Sequence, residues 1–192
     1  MVSGMSSARH YEEFFITPEA YLEAECRREV KHEYVAGAIY AMAGASRRHN
    51  LISGNLLFAL GTHLRGSRCT AFGSDMHLRI REGEDTFYYY PDITVDCSGS
   101  TADYVDQPTV IFEVLSPSTE RNDRVEKWLN YRTLPTLRVY ALVDQSRAFI
   151  LVHRRGDDGE WTSEHLSDLQ GALELLEIGC SLPLAQIYEG VF

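Results

Sequence analysis

Glu113 stands in the middle of Thr109-Val110-Ile111-Phe112-Glu113-Val114-Leu115, a run with no other charge. Such a run reads as a central strand covered on both faces, with Val110, Phe112 and Val114 on one side and Ile111 and Leu115 on the other. A carboxylate in that setting needs a partner, because an unpaired charge among apolar side chains is costly or takes up a proton. Upstream, Pro91-Asp92 separates the aromatic run Tyr88-Tyr89-Tyr90 from the run Ile93-Thr94-Val95, which sets a second acid at the start of another strand. Two acids on neighbouring strands of one sheet suit a divalent metal. Mg²⁺ takes oxygen ligands and keeps several waters, so two carboxylates and a backbone carbonyl are a sufficient protein contribution.

A cation belongs with them. From Glu113 to Ser116 a strand advances ~10 Å, and a helix running back beside the sheet rises ~12 Å from Thr119 to Lys127. Lys127 therefore returns to the level of Glu113, on a helix face shared with Asp123, Arg124 and Tyr131. Two acids, a metal and a lysine suit phosphodiester hydrolysis. The metal lowers the pKa of a bound water and neutralises phosphate charge, and the lysine orients the water or stabilises the pentavalent oxyanion. The same residues also admit plainer readings: an Asp123–Lys127 surface ion pair, Asp92 as a turn residue, and Glu113 paired to an arginine. His49 could contact phosphate or water, or serve as a structural hydrogen-bonder. Asp75 could support the site or only open a strand. No HExxH or comparable metal spacing involves the other histidines.

The elements that position these residues follow from caps and periodicity. Residues 1–16 read as an arm. Thr17-Pro18 caps and opens a helix to about Arg28, followed by short strands at 30–35 and 39–43 around Ala36-Gly37. Ser46 caps a longer helix, with Leu51, Ile52, Leu56, Ala59, Leu60 and Leu64 at helical spacing. The period then changes to two, with strands expected at 69–72, 75–80, 86–90, 93–96 and 110–115. Ser116-Pro117-Ser118-Thr119 stops the last strand and opens a helix to Arg132, whose packing stripe is expected to be Val125, Trp128 and Leu129. Strands follow at 138–143, 148–153 and 161–166, and a short helix at 182–187. With no repeat or linker, residues 1–192 read as one α/β domain with a mixed sheet flanked by helices.

Composition narrows the function classes. The 192-residue chain carries a formal charge of −10, which counts against a general nucleic-acid binder, although bound metal and local arginines can reverse the field at a site. Lys31 and Lys127 are its only lysines. The pairs Arg47-Arg48, Arg121/Arg124 and Arg154-Arg155 read as phosphate forks or as solvated surface. No apolar run approaches the ~20 residues of a membrane span, and with Met1 to Arg9 small and polar and without a hydrophobic h-region, export is not expected. Cys26, Cys69, Cys97 and Cys180 are scattered and read as reduced thiols of a cytoplasmic protein.

Pro91-Asp92 followed by Glu113-Val114-Leu115 resembles the PD-(D/E)xK nuclease signature. The chain more closely resembles the bacterial Uma-type restriction endonuclease family. The resemblance runs through Glu33-Tyr34-Val35-Ala36-Gly37, Ser46 to His49, Asn55-Leu56, Glu113 to Thr119, Asp123, Lys127, Tyr131, Tyr140 and Val143-Asp144. It implies a restriction-endonuclease-like core and a Mg²⁺- or Mn²⁺-dependent nuclease with DNA as the expected substrate. Asp92 and Glu113 take the metal-binding places, Lys127 supplies the charge that the motif places where Leu115 stands, and Glu33 is the additional N-terminal acid. Homodimerisation, which would let both strands be cut, is also implied. A rival reading is a catalytically inactive nuclease fold serving as an interaction module, favoured by Leu115 and the acidic charge. An RNA- or nucleotide-directed phosphodiesterase would use the same chemistry.

Overall fold

The structure, a computed structural model, describes residues 15–116 and 122–192. Glu113 lies on β8 (Pro108–Leu115), an inner strand of a six-stranded sheet. On one side β8 pairs antiparallel with β6 (Ile93–Asp96), beyond which β3 (Thr70–Gly73) forms an edge. On the other it pairs parallel with β9 (Val139–Asp144), which continues through β10 (Ile150–Arg155) to β11 (Trp161–Leu166). The parallel step is possible because the chain crosses over between β8 and β9, partly through a helix. A five-stranded sheet comprises, in order, β2 (Ala38–Ala41), β1 (His32–Val35), β5 (Asp85–Tyr89), β4 (His77–Glu82) and β7 (Tyr104–Val105). A separate hairpin pairs β12 (Ala172–Leu175) with β13 (Cys180–Pro183).

The two faces of β8 divide as its apolar run requires. Val110, Phe112 and Val114 enter a core with Ile52, Leu56 and Leu60 of α2 (Arg47–His63) and with Leu184 and Ile187 of α4 (Leu184–Ile187). Ile111 and Leu115 enter a second core with Leu78 and Ile80 of β4, Tyr89 of β5, and Tyr131 and Tyr140. Helices thus flank a mixed sheet, as expected. Thr17 and Pro18 begin α1 (Pro18–Glu25), where the Thr17 hydroxyl accepts from Ala20 N. Ser46 likewise caps α2, accepting from His49 N at 3.1 Å. Ala36 and Gly37 join β1 to β2 with φ of 45° and 100°, the positive values that a tight two-residue hairpin turn requires.

Four features depart from the sequence reading. β7 and the β12–β13 hairpin had no strong period-two signal, being short or broken by Gly179 and Pro183. The segment expected to open the helix falls largely at 117–121, which lies outside the described residues, as do residues 1–14 of the expected arm 1–16. The end of that arm at Ile16 is tied to the β1–β2 hairpin, donating to Gly37 O and accepting from the Tyr34 hydroxyl. From Asn122 the helix is first π-helical (Asn122–Lys127) and then α-helical in α3 (Trp128–Tyr131). Its expected packing stripe is turned outward: Val125 is 55% and Leu129 54% exposed, whereas Asp123, Lys127 and Tyr131 are buried. The inward stripe is polar because it faces Glu113. Trp128 stays partly covered, with its ring 5.7 Å from Tyr140 and 4.2 Å from His153.

The last departure concerns the cysteines. Cys69 and Cys97 are joined in a disulfide rather than left as thiols, and Cys26 and Cys180 are free. Each lies one residue outside the Thr70↔Asp96 pair of β3 and β6, so the register sets them opposite each other. Separation in sequence hid a neighbour relation that only the strand pairing creates. Among the described residues, no helix is long and apolar enough to cross a membrane.

Candidate active site

Sheet register brings the two acids together. β6 and β8 pair Ile93 with Phe112, and one further step sets Asp92 opposite Glu113. Like charges in that relation repel, and the backbone answers each. Val114 N donates to Asp92 Oδ2 at 2.7 Å, and Asp92 N approaches Glu113 Oε2 at 3.4 Å. His49, on the first turn of α2, places Nε2 3.1 Å from Asp92 Oδ2, with Nδ1 3.5 Å from Ser53 Oγ.

Lys127 fills the other side of Glu113. Its Nζ lies 2.8 Å from Glu33 Oε1, 3.1 Å from Glu113 Oε1 and 3.3 Å from Asp123 Oδ1. It also lies 5.7 Å from the centre of the Tyr89 ring. Tyr131 donates its hydroxyl to the same Glu113 Oε1 at 2.8 Å, and Tyr140 donates to the Asp123 carbonyl at 2.8 Å, holding the π-helical turn against β9. Glu113 is 3% and Lys127 5% exposed, so the plain surface ion pair is replaced by a buried one. Asp123 is an addition to the expected cluster. Its i, i+4 spacing to Lys127, continued from Lys127 to Tyr131, was the available signal, and taking Val125, Trp128 and Leu129 as the packing stripe had concealed that this face is the buried one.

Burial sets the electrostatics. It pushes the Glu113 carboxyl well above the usual range; Lys127 opposes this, while Asp123, Asp92 and Glu33 add to it. Burial alone would lower the Lys127 ammonium, but Glu113, Glu33 and Asp123 together hold it well above its ordinary value, so it stays charged. Tyr131 is raised by burial and by Glu113. Burial alone would lower the His49 imidazole, but the bond to Asp92, the charges of Asp92 and Asp123 and the Val114 backbone together raise it above its ordinary value.

The expected site residues do not all converge. Glu33, Asp92, Glu113, Lys127 and His49 line one cleft of about 770 Å³, and Tyr131 stands behind Glu113. Asp75 does not join them. Its side chain is 93% exposed and pairs with Lys31, because the turn before β4 carries it outward. Of the arginine pairs, Arg154-Arg155 has structural uses, Arg154 binding Glu177 and Arg155 the carbonyls of Leu134 and Arg132, while Arg121 lies outside the described residues. Among the described residues, no three Asp, Glu, His or Cys side chains form a ready metal cage. The cross-strand pair Asp92–Glu113 instead offers hard oxygen donors on one wall of the cleft, a set that suits a cation retaining much of its water.

The mixed sheet thus sets two opposed acids beside a buried lysine. A family model described as "Putative restriction endonuclease" (Uma2) matches residues 18–185, and the chain belongs to this family. An uncharacterized protein of Synechocystis sp. (strain ATCC 27184 / PCC 6803 / Kazusa), slr1290, is 37% identical over 92% of this chain and 93% of its own. A second from the same organism, sll1609, is 34% identical over 81% and 88%. The crystal structure titled as that of "a putative nuclease belonging to DUF820" from Anabaena variabilis ATCC 29413 shares the fold. It matches with a TM-score of 0.74 and 17% identity, covering 92% of this chain and 99% of that one.

Proposed function

We propose that this protein is a metal-dependent endonuclease that hydrolyses phosphodiester bonds, with DNA as its substrate. The observation carrying the reading is the Lys127 ammonium 3.1 Å from Glu113 Oε1, since it supplies from the following helix the charge that Leu115 cannot. Asp92 and Glu113 would hold Mg²⁺ or Mn²⁺. When bound, the ion would acidify a water and offset phosphate charge. The chain's own residues do the remainder. Lys127 orients the water or meets the developing oxyanion, Glu33 and Asp123 hold the lysine in place, and Tyr131 fixes one Glu113 oxygen so that the other faces the cleft. His49 steadies Asp92. A homodimer would present two such sites to its substrate.

The test is Mn²⁺-supported cleavage of plasmid or branched DNA. Wild type should cut and Asp92→Ala should lose at least about a hundredfold in rate, a range in keeping with loss of a metal ligand or its support. Equal rates would discard the site. Leu115 and the acidic surface favour a second reading, a non-catalytic interaction module. Calorimetry decides it: if no Mn²⁺ site is lost on Glu113→Gln, the second reading stands.

A further inference from the structure

One face of the β1–β2 hairpin forms a wall of the cleft. Strand alternation puts Lys31, Glu33 and Val35 on the same side. The register Glu33↔Tyr40 sets Tyr40 beside Glu33, and the bond from Met42 N to Lys31 O, at 2.9 Å, sets Met42 beside Lys31. All five residues line the cleft. Because Glu33 touches Lys127, this wall runs outward from the acid cluster itself.

Two side chains on it are not accounted for by packing. Tyr40 is 56% exposed, while Tyr34, Tyr88, Tyr89 and Tyr90 on or next to the same sheet are all buried. An exposed ring within a cleft, directly across from a buried acid, offers a stacking surface. Lys31 is the only lysine besides Lys127. Its ammonium donates to Ser74 O at 2.9 Å, pairs with Asp75 and stands 5.4 Å from the Tyr90 ring centre, with its side chain still 39% exposed. Carbonyl, carboxylate and ring hold the charge at the cleft wall without closing it off.

We infer that this wall is a subsite for an unpaired nucleic-acid strand, in which Tyr40 stacks on a base next to the scissile phosphodiester and Lys31 meets a neighbouring phosphate. The inference rests on the hydrolase reading and names its substrate class. Charge and size both favour a single strand. Among the described residues the cleft carries Glu29, Glu33, Asp92, Glu113, Asp123 and Glu126 against Lys31, Lys127 and His49, in a chain of net charge −10. A specific duplex interface buries ~1,000–2,500 Å² of markedly positive protein surface. A cleft of about 770 Å³ is instead of the size that takes small ligands, and an unpaired nucleotide can enter it. Stacking needs no positive field, so it can hold a base where the acids weaken phosphate binding.

Fluorescence anisotropy in Ca²⁺, with labelled oligo-dT and a duplex of the same length, tests this. Wild type should bind oligo-dT at least about fivefold more tightly than duplex. Tyr40→Ala should lose about fivefold or more while Tyr40→Phe keeps the affinity. Lys31→Met should weaken binding and flatten the salt dependence by about 0.7 in slope. Tyr40 is exposed, so its variants should melt as wild type does. Unchanged binding by Tyr40→Ala, equal or tighter binding of duplex, or no binding of either probe would overturn the subsite. Tyr40-dependent binding by a protein that cuts nothing with Mn²⁺ would keep the subsite and remove the hydrolase reading. Cleavage with Tyr40-independent binding would do the reverse.

Discussion

Lys127 concentrates the residue-scale argument. It is buried and within 3.3 Å of three carboxylates, so replacing it leaves those acids to repel one another across the gap it filled. Lys127→Met should therefore destabilise the fold by ~3–5 kcal/mol, the usual result of breaking a buried pair by deleting one partner, and should also abolish cleavage. Denaturant unfolding separates the two effects. Leu115 and Glu113 point to the same side of β8 by strand alternation, so Leu115→Lys in the Lys127→Met background should regain part of both stability and Mn²⁺-dependent cleavage. A double variant no better than Lys127→Met alone would mean that the two positions do not deliver charge to the same place. Glu113 was conspicuous in the sequence because its strand is apolar on either side, and Asp92 because a proline and a new apolar run frame it. Asp123 was not. Its neighbours Val125 and Leu129 suggested that the opposite face was packed, and the polarity of a buried stripe shows only when the acid it answers is placed across from it.

At the scale of elements, strand register does most of the positioning. It makes Asp92 and Glu113 neighbours, gives Glu33 to Lys127 through β1, and puts Tyr40 on the same wall. The long elements α2, β8 and β9 were readable from periodicity and caps. The two-residue β7 and the β12–β13 hairpin were not, since so few residues establish no period, and the π-helical start of the helix has no local signature. β4 carries a group that ties this framework to pH. His77 is wedged between the Tyr21 hydroxyl at 3.3 Å and the Tyr90 ring at 4.2 Å, and burial, with Lys31 in support and Glu25 opposed, lowers its pKa below 6.5. The folded state then binds fewer protons than the unfolded chain just below that value. The contribution of His77 is thus fully present above pH 6.5 and is lost as pH falls through its lower folded value. His77→Gln should flatten that part of the stability–pH curve, measured by urea unfolding. An unchanged slope would mean that folding does not shift the His77 pKa.

Two cores on opposite faces of β8 and a smaller one around Tyr21, Tyr34 and Tyr88 hold the described residues together, and the disulfide ties in the margin of the larger sheet. β3 is the edge strand beside β6, and β6 begins immediately after Asp92, so the Cys69–Cys97 bond secures the flank on which that acid depends. It closes a loop with a sequence separation of 28, for which the chain-entropy estimate is about 3–4 kcal/mol of stabilisation. For a chain of this size that corresponds to a melting temperature higher by about 10 °C. Thiol titration of the denatured, unreduced protein should find two of its four cysteines reactive. Reductant should lower the melting temperature of wild type, and the Cys69→Ser/Cys97→Ser variant should melt at the reduced value whether or not reductant is present. Four reactive thiols, or a reductant effect that persists in the double variant, would place the stabilisation elsewhere. Because the bond lies at the sheet edge rather than in the cleft, Mn²⁺ affinity of the reduced protein below its melting temperature should match that of the oxidised form. A loss of affinity on reduction alone would mean that the β3–β6 edge controls the position of Asp92 as well as the stability of the fold.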